Sequence, residues 1–225
     1  MTPGASPGPR TVSEGELEGF AAFLLRMRAA GLDDKAVMSA IEAVPRGNFV
    51  DAQYRHVAMG PRTIPIACGE TLEGIDLQAR IFHALELDGN QRILEIGTGS
   101  GYSACVLAKL SKRVYTVERF KTLHHDANHR IRQLGIGNVV ASQADGSTGS
   151  GDGPFDRIVS WAAFETIPRN FVDQLVSGGT MICAIGSGEQ PQMLARMTKI
   201  GSRFEREDIG TVRFQPIQRG LPSVL

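Results

Sequence analysis

The chain has 225 residues and a mass of 24.3 kDa, enough for one large domain or a domain with a small accessory region. With 42% hydrophobic and 21% charged residues, wholesale disorder is excluded. Its 24 Lys and Arg balance 24 Asp and Glu, which argues against a protein whose main work is gripping nucleic-acid phosphates.

Residues 1–12 are rich in Pro, Gly and Ser, lack the apolar centre of a signal peptide, and read as a disordered tail. Ser13 with Glu16 three residues on forms a capping box. Leu17, Phe20, Phe23, Leu24 and Met27 then recur at helical spacing as far as Gly31. A second helix spans 33–44 and stops at Pro45. Residues 46–74 show no period and carry Gly60, Pro61, Pro65, Gly69 and Gly74. Long irregular segments inside compact domains are often functional. A third helix covers about 75–87.

From residue 91 the rhythm changes to strands alternating with helices. RILEI, RVYTV, VVASQ, DRIVSW and TMICAI read as strands, separated by helices near 102–110, 121–134 and 165–176. That alternation predicts an α/β fold: a doubly wound, mainly parallel sheet with helices on both faces. MLARMTKI, RFERED and TVRFQPI add strands that close the sheet with an antiparallel hairpin. The chain thus divides into a helical N-terminal cap over 13–88 and a sheet domain over 89–225.

Open α/β sheets bind ligands beyond the carboxyl ends of their strands. Here the first sheet strand runs into Glu95-Ile96-Gly97-Thr98-Gly99-Ser100-Gly101. The glycine spacing is one residue short of a dinucleotide fingerprint, and Glu95 is poorly placed beside a pyrophosphate. It suits a ligand with an amino group or positive charge. Glu118 closes the second strand, where an acid accepts the ribose hydroxyls of an adenosine. Asp145, before Gly146, follows the third strand and can take an exocyclic amine. No lysine-containing phosphate loop exists, which argues against ATP or GTP. Ribose, adenine and an ammonium without phosphate describe S-adenosylmethionine.

These segments resemble the protein-L-isoaspartate O-methyltransferase family. The likeness runs from about Pro45 to Gly220. It is carried by Pro45-Arg46-x-x-Phe49-Val50, Ile64-Pro65-Ile66, LEIGTGSGY at 94–102, VYTVER at 114–119, Asp145-Gly146-x-x-Gly149, and Pro154 to Ile158. Ile167-Pro168, Gln174-Leu175, Gly178-Gly179 and Val212-Arg213-Phe214-x-Pro216 continue it. The resemblance implies a seven-stranded methyltransferase sheet ordered 3-2-1-4-5, with the last two strands variable. It implies a cofactor site of Glu95, Gly97, Thr98, Gly99, Gly101, Glu118, Arg119, Asp145 and Gly146. It also implies methylation of a carboxylate on damaged, isoaspartyl-containing protein or peptide. The charge balance, the lack of an apolar run of membrane-spanning length and the wide cysteine spacing lead to the expectation of a cytoplasmic protein with no nucleic-acid or membrane partner and no metal.

The substrate side departs from the pattern. The family's Gln-Thr-Ile-Ser run is Glu70-Thr71-Leu72-Glu73 here, and the resemblance makes Thr71 and Glu73 the catalytic positions. The family proline two residues later is Ile75, a Tyr and an Asp upstream become Met59 and Gly60, and a small-residue run becomes Trp161-Ala162-Ala163-Phe164. A carboxylate at 73 would repel an anionic acceptor. One such pair about 5 Å apart at an effective dielectric of about 20 costs roughly 3 kcal/mol. Protonation, or pairing with Arg62 or Arg213, would relieve it, and a general-base role toward another acceptor is open. A gain of isoaspartyl activity on Glu73→Ser is therefore expected. The alternatives are a family member acting on a different acceptor, a small molecule or another side chain, and a cofactor-binding module without catalysis.

Cys68, Cys105 and Cys183 lie too far apart for a disulfide framework or a metal-ligand spacing, so reduced thiols are expected. His125 and His129 share a helical face, but no acid or cysteine completes a metal set, so a surface role is expected. Trp161 and Phe164, at a strand end, either line the ligand pocket or pack in the core.

Overall fold

The computed structural model describes residues 14–167 and 170–222. Ser13, and with it the proposed capping box, lies outside them.

Helix α1 (Glu14–Ala29) buries Phe23 and Met27, four residues apart on one face. Helix α2 (Lys35–Glu42) is capped by Asp34, whose side chain accepts from the Val37 N–H at 3.1 Å. It buries Val37, Ala40 and Ile41. Two 3-10 turns follow (Arg46–Phe49 and Ala52–Val57), and then a two-residue hairpin, β1 (Ile64–Pro65) with β2 (Thr71–Leu72). Helix α3 (Ile75–Ala84) ends the N-terminal layer.

The main sheet then alternates as the pattern predicts: β3 (Arg92–Ile96), α4 (Tyr102–Leu110), β4 (Arg113–Glu118), α5 (Lys121–Gln133), β5 (Val139–Gln143) and β6 (Phe155–Phe164). A short α6 (Asn170–Asp173) leads to β7 (Leu175–Ile185), β8 (Gln192–Ile200) and β9 (Arg203–Val212). Spatial order is β5-β4-β3-β6-β7-β8-β9. The first five of these are parallel, and β8 and β9 are antiparallel additions. Counted from β3, this is the 3-2-1-4-5 order with the last two strands in sequence.

Both faces of the sheet are covered, so β3 is buried on both sides rather than alternating, with Glu95 among its buried residues. One core, running from Phe23 through Ile182 to Phe214, joins the N-terminal helices and α4 to the sheet. A second core on the opposite face gathers Leu94, Ile158, Phe171 and Met181.

Two elements differ from the sequence reading. Of the helix expected near 165–176, the described residues carry only Asn170–Asp173. Strand β6 runs on to Phe164, and β7 already begins at Leu175, which pairs with Phe155. Phe164 and Phe171 stack edge-on at 5.5 Å, which holds the short connection down. TVRFQPI is not a separate strand. Thr211 and Val212 finish β9 through a bulge at Ile209, and residues 213–218 peel away as a strap bridged to Ala163. Pro216 has no N–H to continue a ladder.

The α4–α5 crossing depends on Gly101. Its φ is +89°, and a Cβ there would lie 3.0 Å from the Ala127 Cβ. Gly101→Ala is expected to lose about 1–3 kcal/mol of stability. Adding Ala127→Gly should recover the steric part but not the backbone part. Urea unfolding of both variants checks this, and an unchanged midpoint for Gly101→Ala contradicts it.

Candidate active site

The carboxyl ends of β3, β4 and β5 and the strand β6 open onto one pocket. It is lined by Gly97 and Gly99 after β3, Glu118 and Arg119 at the end of β4, Gly146 after β5, and Trp161 on β6. Glu70 and Thr71 enter from the β1–β2 hairpin, and Gln215 to Gln218 from the C-terminal strap. Thr71, Gly97, Gly99, Glu118, Arg119 and Gly146 of the residues expected from sequence are thus brought together. Gly97, Gly99 and Gly101 all have positive φ, which lets the loop turn from β3 into α4. A side chain at Gly146 would meet Ile96 at 2.6 Å, so backbone forms the pocket wall there.

Each acid has its own environment. Glu118 is almost fully buried; one oxygen accepts from the Gly99 N–H at 2.9 Å and the other from the Phe120 N–H at 3.0 Å. These bonds tie the glycine loop to the β4 turn and aim the carboxylate. Each oxygen keeps a lone pair for a ligand hydroxyl.

Glu95 does not line the pocket. It is 0% exposed and accepts from Thr116 Oγ1 at 2.7 Å and from Trp161 Nε1 at 2.9 Å. Burial pushes its carboxyl up to about 7, against hydrogen bonds from Ser103, Thr116 and Trp161. Thr98 is buried beneath the loop, with its hydroxyl 2.6 Å from that of Thr116. Asp145 accepts from the Ser147 N–H at 2.8 Å and the Gly220 N–H at 2.6 Å. Partial burial raises its carboxyl, but the Gly220 and Ser147 donors outweigh that and leave it below its ordinary value. Asp145 therefore caps a turn and pins the end of the strap.

The hairpin separates its acids. Glu73 is buried outside the pocket lining, with Thr71 Oγ1 3.4 Å from its carboxylate. Burial lifts it to about 7, opposed by Thr71 and by the charge of Arg46. Its cationic neighbour is Arg46, rather than Arg62 or Arg213. The Arg46 guanidinium lies 4.3 Å from the Tyr102 ring centroid and donates to the carbonyls of Ala58 and Glu73 and to Gln78. Glu73 thus faces neither solvent nor the pocket lining. Of the hairpin's two acids it is Glu70 that lines the pocket, half-buried and raised by burial and by the Glu118 charge, with Arg119 opposing.

Trp161 and Phe164 part company. Trp161 lines the pocket and packs on Phe82 and Phe214, whereas Phe164 is core. Sequence reasoning missed Val117, Phe120 and the strap. The strap is held by Gln215 Nε2 donating to the Gly69 carbonyl at 3.0 Å and by Arg119 donating to Gln218. Its only trace in sequence is the Val212-Arg213-Phe214-x-Pro216 segment. Among the described residues no group of three His, Cys, Asp or Glu could hold a metal.

The family model of protein-L-isoaspartate(D-aspartate) O-methyltransferase matches residues 21–221. A protein-L-isoaspartate O-methyltransferase of Rhizobium meliloti is 42% identical over 202 residues, 89% of this chain and 99% of the relative. One from Azorhizobium caulinodans is 43% identical over 216 residues, 96% of this chain and all of the relative. In fold, the chain is similar to a protein-L-isoaspartate O-methyltransferase of Plasmodium falciparum solved with S-adenosyl-L-homocysteine. The TM-score is 0.74 at 22% identity, over 88% of this chain and 98% of that one. With a family model spanning most of its length and near full-length relatives above 40% identity, the chain belongs to the protein-L-isoaspartate(D-aspartate) O-methyltransferase family.

Proposed function

We propose that this protein transfers a methyl group from S-adenosylmethionine to the free carboxylate of isoaspartyl residues in damaged protein. The observation that carries the reading is the near full-length match to relatives of that name. The pocket's chemistry supports it. A carboxylate aimed by two backbone donors suits ribose hydroxyls, and the lining offers no lysine for a phosphate chain. In this reading Glu118 holds the ribose, the Gly97–Gly99 backbone and Gly146 pack against the nucleoside, and Arg119 braces the strap. Buried Glu95 and Thr98, the α4 cap at Gly101, and Asp145 shape the loops from behind. Residues 14–88 act as the cap on the substrate side and residues 89–222 as the cofactor half. Three free thiols support a reducing compartment such as the cytoplasm. Among the described residues no helix is long and apolar enough to cross a membrane.

When bound, the cofactor supplies an electrophilic methyl on a positively charged sulfur. The acceptor carboxylate is already ionised at neutral pH and needs no base. The protein's work is to align the two and keep water out. Thr71, exposed at the pocket and beside Glu70, is positioned to meet the acceptor. Glu73, turned against Arg46, serves as a support for Thr71. Glu73→Ser is then expected to change isoaspartyl turnover little, contrary to the gain expected from sequence.

The test is radiolabelled methyl transfer to an isoaspartyl peptide beside its aspartyl control. Label on the isoaspartyl peptide alone is expected. Label on neither, from protein that binds the cofactor, would move the assignment to another acceptor within the family.

A further inference from the structure

We propose that Glu70 is a specificity-determining residue of the cofactor pocket, whose carboxylate favours the sulfonium S-adenosylmethionine over its neutral thioether product, S-adenosylhomocysteine. The proposal rests on the reading of the pocket given above.

Four acids surround this pocket or the loops that build it, and three are committed to the protein. Glu95 is held by Thr116 and Trp161, Glu118 by the Gly99 and Phe120 N–H groups, and Asp145 by those of Ser147 and Gly220. Glu70 differs. It lines the pocket, is half-buried, and among the described residues no donor or ion pair reaches its carboxylate. Arg119, the cation of the lining, instead donates to Gln218 and lies 5.0 Å from the Phe120 ring centroid. A partly desolvated carboxylate with no partner is costly unless a positive charge arrives.

The segment carrying Glu70 is also held in place. Its carbonyl accepts from the Ile66 N–H at 2.9 Å, and Gln215 holds the neighbouring Gly69 carbonyl from the strap side. Glu70 shares the pocket lining with Glu118 and Arg119, so the hairpin brings it to the β4 side of the pocket.

The ligand carries an ammonium and a carboxylate both before and after transfer. The sulfur charge is present only before. A protein carboxylate that responds to the sulfur therefore binds reactant over product and weakens product inhibition. It also stabilises a ground-state charge that fades in the transition state, which slows the transfer step itself.

The experiment titrates S-adenosylmethionine, S-adenosylhomocysteine and sinefungin, which has a protonated amine in place of the methylated sulfur. They are added to the parent, Glu70→Gln and Glu70→Asp, with the sole tryptophan, Trp161, as fluorescent reporter and calorimetry alongside. Glu70→Gln is expected to weaken S-adenosylmethionine and sinefungin about tenfold and leave S-adenosylhomocysteine within about twofold. Glu70→Asp should keep most of the preference. Melting curves establish that each variant is folded. Equal weakening of all three ligands would assign Glu70 to the ammonium and overturn the proposal. No change in any would overturn it as well. A parent protein that binds none of the three would instead sink the underlying reading of the pocket.

Discussion

Glu118→Ala is expected to weaken S-adenosylmethionine binding about tenfold to a hundredfold. Hydrogen bonds to a charged acceptor contribute about 1.5–3 kcal/mol, and every 1.4 kcal/mol is a factor of ten. In the folded protein that carboxylate does two jobs. It offers lone pairs to the pocket, and it receives the Gly99 and Phe120 N–H groups that shape the pocket's rim. Glu118→Gln should therefore do little better than alanine. An amide has one carbonyl oxygen, so its NH2 must face one of the two N–H donors. Calorimetry with both variants, with circular dichroism to verify folding, measures the effect. Affinity equal to the parent in folded Glu118→Ala would remove Glu118 from the ribose site.

The second large effect is a dependence of stability on pH. Burial raises Glu95 and Glu73 from 4.5 to about 7 in the folded protein. Folding therefore favours their protonated forms. The stability this contributes is complete below about pH 4.5 and is lost as pH rises through about 7. A gap of this size corresponds to about 3 kcal/mol for each group once it ionises.

Glu95→Gln should therefore flatten the decline in urea stability between pH 5 and pH 8 by on the order of 3 kcal/mol. Glutamine fits the site. Its oxygen can accept from Trp161, and its NH2 can donate to Thr116 Oγ1, which then turns its own hydrogen to Thr98. Glu73→Gln should flatten the same window by a similar or smaller amount, because Thr71 and Arg46 oppose the rise there. If neither variant alters the slope, both carboxylates are ionised in the native state across this range. The raised groups would then be excluded as its cause.

The elements that were legible in the sequence are those coded locally. RILEI, RVYTV and VVASQ became β3, β4 and β5 at nearly the expected bounds, because short runs rich in β-branched and apolar residues between turn signals code for strands locally. The helices near 102–110 and 121–134 held for a similar reason. The first is buried almost all round, and the second shows Leu123, Ala127 and Ile131 at helical spacing. Among the described residues the helix near 165–176 is confined to Asn170–Asp173, where Phe164 and Phe171 pack edge-on and Leu175 pairs with Phe155. No window within that segment carries this information.

The site divides along the same line. Glycine loop, acids at strand ends and family membership follow from the sequence alone, since they depend on residue type and spacing along one chain. Which acid faces the ligand is a tertiary matter. Glu95 is sealed by an indole 66 residues away, and Asp145 is held by an N–H 75 residues away. Glu73 is turned toward Arg46, while Glu70, three residues earlier, stays in the pocket. A carboxylate's role depends on which donors reach it and how much water it keeps, and both are decided by chain segments distant in sequence that the fold packs together.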